Sequence, residues 1–143
     1  MDDAKLAYGV STLVLCLNLT ALWFASGVAR GRTKTTPNPE DARTVVKGSA
    51  VVEADPPAVA RALRAHTNTI ANTVPFVLVA QVYVGAGASG AMTWALCGGF
   101  AGLRVLYSVF YLSGAQPWRT ISFVLATALM LGMMGHTAVL LVG

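Results

Sequence analysis

Charge is scarce in this sequence: only 11% of its residues are Asp, Glu, Lys or Arg. An average soluble domain carries roughly a quarter, so too few charges are present to cover a water-facing surface. Cysteine is scarce too, at two residues, Cys16 and Cys97. Both sit in apolar runs with no metal-ligand neighbours, which excludes a disulfide framework and a CxxC redox motif and leaves each as an expected small core residue. Nothing in the chain has the form of a phosphate loop, a serine triad or a metal-binding spacing. No cleavable leader stands out, because the first apolar run is long enough to span a membrane rather than be removed.

What fills the chain instead is apolar: 55% of its 143 residues are hydrophobic. A hydrocarbon core of about 30 Å takes about 20 helical residues. Runs near 6–28, 58–85, 92–112 and 118–142 meet that length, so a single domain over 1–143 is expected as an all-α, integral membrane four-helix bundle. Pro37, Pro39, Pro56 and Pro57, together with a cluster of charges, keep residues 30–57 out of the bilayer. Pro57 suits the first turn of the second helix, and Pro75 marks an expected kink within it.

Seven of the ten basic residues lie between Arg30 and Arg64. The net charge of +4 is explained by membrane orientation and gives no reason to expect a nucleic-acid partner. With four spans, the loop from Arg30 to Arg64 and the loop beside Arg119 share one face, which the positive-inside rule makes cytoplasmic. Richness in Ala, Gly and Val points to a bacterial inner membrane rather than the endoplasmic reticulum.

Arg104 stands about halfway along the third run, where a charge costs at least a few kcal/mol on insertion scales. Tyr107 and Tyr111 share its helical face and Ser108 borders it. Two readings stay open: a charge that snorkels or pairs structurally, and a buried anion-binding face with two phenol donors. On the second run, Arg61, Arg64, Asn68 and Asn72 form a polar stripe, which must face protein or a cavity rather than lipid. Amides that tie helices together would account for it equally well. His66 points away from the stripe, and His136 is expected to make an interhelical hydrogen bond. Arg30 and Arg119 stand at the cytoplasmic ends of the first and fourth runs, either as anchors or, with Arg104, around an acidic ligand. The cluster has no evident nucleophile, so a nucleophile is expected to arrive with the ligand.

Arg64-Ala65-His66-Thr67-Asn68, followed by Pro75-Phe76, resembles the signature of the MAPEG family, the membrane-associated proteins of eicosanoid and glutathione metabolism. Arg30-Gly31-Arg32, Asn38-Pro39-Glu40-Asp41-Ala42, and Arg104 with Tyr107, Tyr111, Pro117 and Arg119 are similar to its microsomal prostaglandin E synthase branch. The resemblance covers nearly the whole chain. It implies a homotrimer in membrane lipid, with glutathione as cofactor between subunits and a lipophilic small molecule as substrate. The activity implied is that of a transferase, isomerase or peroxidase working through a glutathione thiolate.

Carried over by position, Asn68, Arg104, Tyr107, Tyr111 and Arg64 bind glutathione. Arg119 steadies its thiolate, Arg30 approaches from the adjacent subunit, Asp41 takes part in the chemistry, and Thr120 replaces a serine of that branch. No metal is implied. Two positions depart from the pattern: Ala71 replaces a glutamate that holds the amino group of glutathione, and Thr67 replaces an arginine. These departures leave an alternative, a non-catalytic or altered-thiol protein on the same scaffold.

Overall fold

The computed structural model describes residues 2–143. Helix α1 spans Asp3–Thr33. Asp2 caps it, its carboxylate accepting from the Ala4 N–H at 3.1 Å, and Asp3 lies in the first turn, where a negative charge suits the helix dipole. At the other end Arg30 and Arg32 sit in the last turn, and Lys34 closes the helix in the left-handed conformation at φ 49°. The helix therefore runs past the apolar run that ended at Val28, because its basic residues remain helical beyond the hydrocarbon. Its buried positions, including Ala4, Ala7, Ser11 and Leu15, recur every three or four residues as one seam. Cys16 departs from expectation: it is exposed, whereas Cys97 is fully buried. One residue past Leu15, a turn of about 100° takes its thiol off the buried seam.

The segment after α1 has more order than a loop. Strands β1 (Thr35–Thr36) and β2 (Ala50–Val51) pair in parallel. Between them lies the short helix α2, Pro39–Thr44, preceded by Asn38.

Helix α3, Pro57–Gly85, starts on proline and continues through Pro75. It buries Val59, Ala62, Ala65, Thr69, Thr73 and Phe76 at helical spacing. After a turn, Ser89 caps helix α4 (Gly90–Thr93), which passes through a π-helical turn at Trp94–Gly98 into α5, Gly99–Ser113. Gly90 is required there, because a β-carbon on it would lie 2.5 Å from that of Asp3. Gly114 ends α5 at φ 75°, and α6 runs from Trp118 to Val142.

The long helices form a bundle in which α1 lies along α3, α5 along α6, and α3 against α6. Its core gathers Leu15, Phe76, Ala80, Phe100, Ala126 and Met133, with Phe76 and Phe100 stacked at 3.7 Å. Near the end opposite the basic loop, Tyr83 Oη and His136 Nδ1 hydrogen-bond at 2.9 Å, the interhelical bond expected of His136.

Large apolar side chains cover the outside: Leu13 and Leu17 on α1, Leu78 on α3, Val109 on α5, Leu131 and Val139 on α6. A surface this apolar needs lipid or another protein against it. α1, the continuous rod Gly90–Ser113 and α6 are each long and apolar enough to cross a membrane. α3 has the length, at 29 residues, but Arg61, Arg64, Asn68 and Asn72 make one side of it polar. The protein is an integral membrane helical bundle. Arg61 reaches across to Gly114, its Nη1 lying 2.8 Å from where a β-carbon would stand. The start of α3 and the α5–α6 turn therefore share one end of the bundle, the basic end.

Candidate functional site

The site is assembled where α3, α5 and the start of α6 converge. Arg104 on α5 is completely buried. Its Nη2 donates to Asn68 Oδ1 at 3.0 Å and to Thr69 Oγ1 at 3.1 Å. Its guanidinium carbon lies 4.3 Å from the centre of the Tyr107 ring three residues on, a cation–π contact within the same helix face. Arg104 Nε and Nη1 are buried with no partner among the described residues. Arg104 does not snorkel to headgroups: it is buried and paired with Asn68 and Thr69, the structural pairing of the first reading, and it lies beside Tyr107 as the second reading also requires.

Asn68 is held from two sides. Asn72 Nδ2 donates to the Asn68 backbone carbonyl at 2.8 Å and approaches Asn68 Oδ1 at 3.5 Å, while Arg104 occupies that same oxygen. With its oxygen taken, the amide has its NH₂ group left for the cleft that Asn68 lines. The Asn68–Asn72 pair therefore works along one helix, while Arg104 supplies the tie across helices.

The cleft has a volume of about 230 Å³ and is lined by Asn68, Tyr107, Tyr111, Arg119, Thr120 and Phe123. Tyr107 packs against Tyr111 at 5.5 Å and Phe123 at 6.0 Å between ring centres. The Arg119 guanidinium lies 4.9 Å from the centre of the Tyr111 ring. Gln116, one turn before Thr120, bridges the two polar residues at the start of α6. In the amide orientation that satisfies both, its oxygen accepts from Arg119 at 2.5 and 3.1 Å and its nitrogen donates to Thr120 Oγ1 at 3.1 Å. The Thr120 hydroxyl proton is then free to point elsewhere, and no carboxylate lines the cleft among the described residues.

Arg30 and Asp41 lie apart from this group. They share a second cavity of about 440 Å³ with Trp23, Phe24, Ser26 and Asn38. There Arg30 pairs with Asp55 at 2.7 Å, and Asn38 donates to Asp41 at 2.9 Å. Arg64 is exposed on α3 and lines neither cavity. One protomer thus unites Asn68, Tyr107, Tyr111, Arg119 and Thr120, puts Arg104 behind them, and keeps Arg30 and Asp41 elsewhere.

Sequence reasoning missed Thr69, Gln116, Phe123 and Asp55. Phe123 was within reach, four residues after Arg119 on one helix face. Asp55 carried no signal, since only the folded loop returns it to Arg30. Asn18, a lone amide in the first apolar run, also gains a role: its Nδ2 donates to Ser108 Oγ at 3.0 Å and lies 3.4 Å from the Arg104 carbonyl.

Compared with known families, residues 8–139 match the MAPEG family model. The chain belongs to the MAPEG family. Among curated proteins, this MAPEG chain is 31% identical over 126 residues to the prostaglandin E synthase of Mus musculus, covering 84% of this chain and 78% of that protein. It is 30% identical over 121 residues to the prostaglandin E synthase of Homo sapiens, with the same shares covered. Membership places the protein in a membrane family of glutathione-dependent transferases and isomerases.

Proposed function

We propose that this MAPEG protein binds glutathione in the Arg119 cleft and acts on a lipophilic electrophile drawn from the bilayer, as a transferase, isomerase or peroxidase. The observation that carries this reading is the cleft's composition: one half-buried cation, two phenols, an aliphatic hydroxyl and an amide NH₂, with no thiol, carboxylate or amine nucleophile. Such a lining suits an anionic ligand that brings its own nucleophile. Bound glutathione supplies the sulfur. Arg119 favours the thiolate over the thiol by placing a positive charge beside it. Thr120, whose oxygen is engaged by Gln116, is set to donate its hydroxyl proton to that sulfur. The Asn68 NH₂ group and the phenols of Tyr107 and Tyr111 hold the carboxylates and amide oxygens of the tripeptide, and Arg64, one turn before Asn68 on α3, meets a carboxylate that extends out of the cleft.

The electrophile fits an apolar groove of about 420 Å³ between α1 and α5, lined by Val14, Leu17, Ala21, Val105, Val109 and Leu112. The reading includes four membrane spans with α3 as the second, the basic end in the cytoplasm, and a bacterial inner membrane. It also includes a homotrimer. The polar side of α3 needs a protein or aqueous surface, and a neighbouring subunit brings its Arg30 and Asp41 to the Arg119 cleft. In that arrangement Arg30 adds a second cation near the sulfur and Asp41 handles a proton.

Subunit mixing tests this directly. Arg30→Ala and Arg119→Ala are each expected to abolish conjugation of glutathione to an aryl halide. Co-expressed and co-purified as mixed trimers, they are expected to recover a fraction of native turnover, because some interfaces then pair two intact half-sites. Mixed trimers that form and stay inactive would refute a site shared between subunits.

A further inference from the structure

The last acidic residue in the chain is Asp55: from Pro56 to Gly143 there is no Asp or Glu. Helices α3, α5 and α6 therefore have no carboxylate to contribute, whether from one protomer or from a neighbouring copy. Within one protomer the remaining acids are placed away from the cleft, and in the trimer proposed above the neighbour's Asp41 comes with Arg30 to the sulfur rather than to the amine. Asp2 and Asp3 stand at the opposite end of α1, and Glu40 and Glu53 are exposed on the loop. Asp55 is paired with Arg30, and Asp41 accepts from Asn38 in the second cavity.

The amide and the cation of the cleft are both set to donate as well. Arg104 occupies the oxygen of Asn68, so that amide offers a donor. Arg119 only donates. Ala71, one turn beyond Asn68 on α3, is exposed and presents only a methyl group. An anionic group entering the cleft meets donors and positive charge. An ammonium group meets Arg119 and, as acceptors, only the neutral hydroxyl oxygens of Tyr107, Tyr111 and Thr120, so its charge is uncompensated and desolvating it there is unfavourable.

We infer that this site recognises its thiol through carboxylates alone and does not read the amine, so that cysteinyl thiols with a blocked, N-acylated amine are ligands as good as glutathione or better. This rests on the glutathione-site reading above and specifies the class of thiol the site takes. Acylation removes a positive charge that has no partner and leaves every carboxylate in place.

Calorimetric titration of the detergent-purified native protein tests it with three probes: glutathione, glutathione N-acetylated on its glutamyl amine, and glutathione esterified on both carboxylates. The N-acetyl compound is expected to bind at least as tightly as glutathione, and the diester about tenfold more weakly or worse, the loss of roughly one charge-assisted hydrogen bond. Glutathione that binds while the N-acetyl compound binds tenfold more weakly overturns the inference and leaves the glutathione site standing. If none of the three binds, the glutathione-site reading fails and this inference fails with it. Ala71→Glu, placed one turn from Asn68, is expected to reverse the order by about tenfold in favour of the free amine. The titrations of the native protein decide the matter if that variant does not fold.

Discussion

Arg104 Nη2 on α5 donates to Asn68 Oδ1 on α3 across 3.0 Å, so a buried cation on one helix selects which end of an amide on another faces the cleft. The pair, with the bond from Arg104 to Thr69, ties together two helices that also stack Phe76 on Phe100. It also turns a residue that is chemically both donor and acceptor into a donor on its open side.

Arg104→Met separates this positioning role from simple structural support. Arg104 is buried with no carboxylate partner and with Nε and Nη1 unpaired, so an apolar side chain of similar volume removes an uncompensated buried charge. The melting temperature in detergent is expected to stay within a few degrees of native or to rise. Freed to rotate, Asn68 no longer holds a fixed donor, and the glutathione Kd is expected to rise about tenfold. An unchanged Kd in a folded Arg104→Met protein would sink the idea.

The rate of glutathione conjugation is expected to increase with pH as the bound thiol ionises. A cation beside the thiol favours the charged form and lowers its pKa. The rising limb of the native profile is therefore expected to lie below that of free glutathione. Removing the charge in Arg119→Gln is expected to move that limb to higher pH by about one unit and to cut kcat at neutral pH about 100-fold. A profile in Arg119→Gln that overlays the native one would deny Arg119 any hold on the thiolate.

Asn18→Leu removes the side-chain link from α1 to Ser108 and the Arg104 carbonyl. Hydrogen bonds between membrane helices average about 0.6 kcal/mol by double-mutant cycles, so the loss of stability is expected to be of that order. Asn18 also lines the apolar groove. KM for the lipophilic electrophile is expected to change while the glutathione Kd does not; the opposite pattern would separate the groove from the substrate.

Tyr83→Phe breaks the bond to His136 near the opposite end of the bundle from Arg119. Stability is expected to fall by about 1 kcal/mol, with kcat and KM unchanged. Detergent melting curves and steady-state kinetics on the same preparation read both quantities, and a kinetic defect would mean that this end communicates with the cleft.

Much of the architecture was present in local sequence. Four apolar runs, separated by Pro-rich or Gly-rich stretches, mark the long helices to within five residues, the widest gap being at the end of α1, where residues past Val28 stay helical beyond the apolar run. The alignment of Arg104 with Tyr107 and Tyr111 was equally readable, because residues three and four apart share a helix face. Cys16 was misjudged on composition, since an apolar neighbourhood in sequence does not distinguish a side chain that faces the core from one that faces lipid. The β1–β2 pair and α2 went unforeseen because two-residue strands and a six-residue helix carry almost no periodic signal.

By itself, then, the sequence determined the class of protein, the rough ends of its long helices, and the absence of any carboxylate after Asp55. These follow from composition and from a helical repeat that acts over a few residues. Only the tertiary structure decided that Arg104 is locked behind the cleft on Asn68, and that Asp55 returns to Arg30 in a second cavity. Each of these depends on which faces of separate helices and loops meet. Side chains tens of residues apart acquire a common direction only when packing fixes the rotation and height of one element against another.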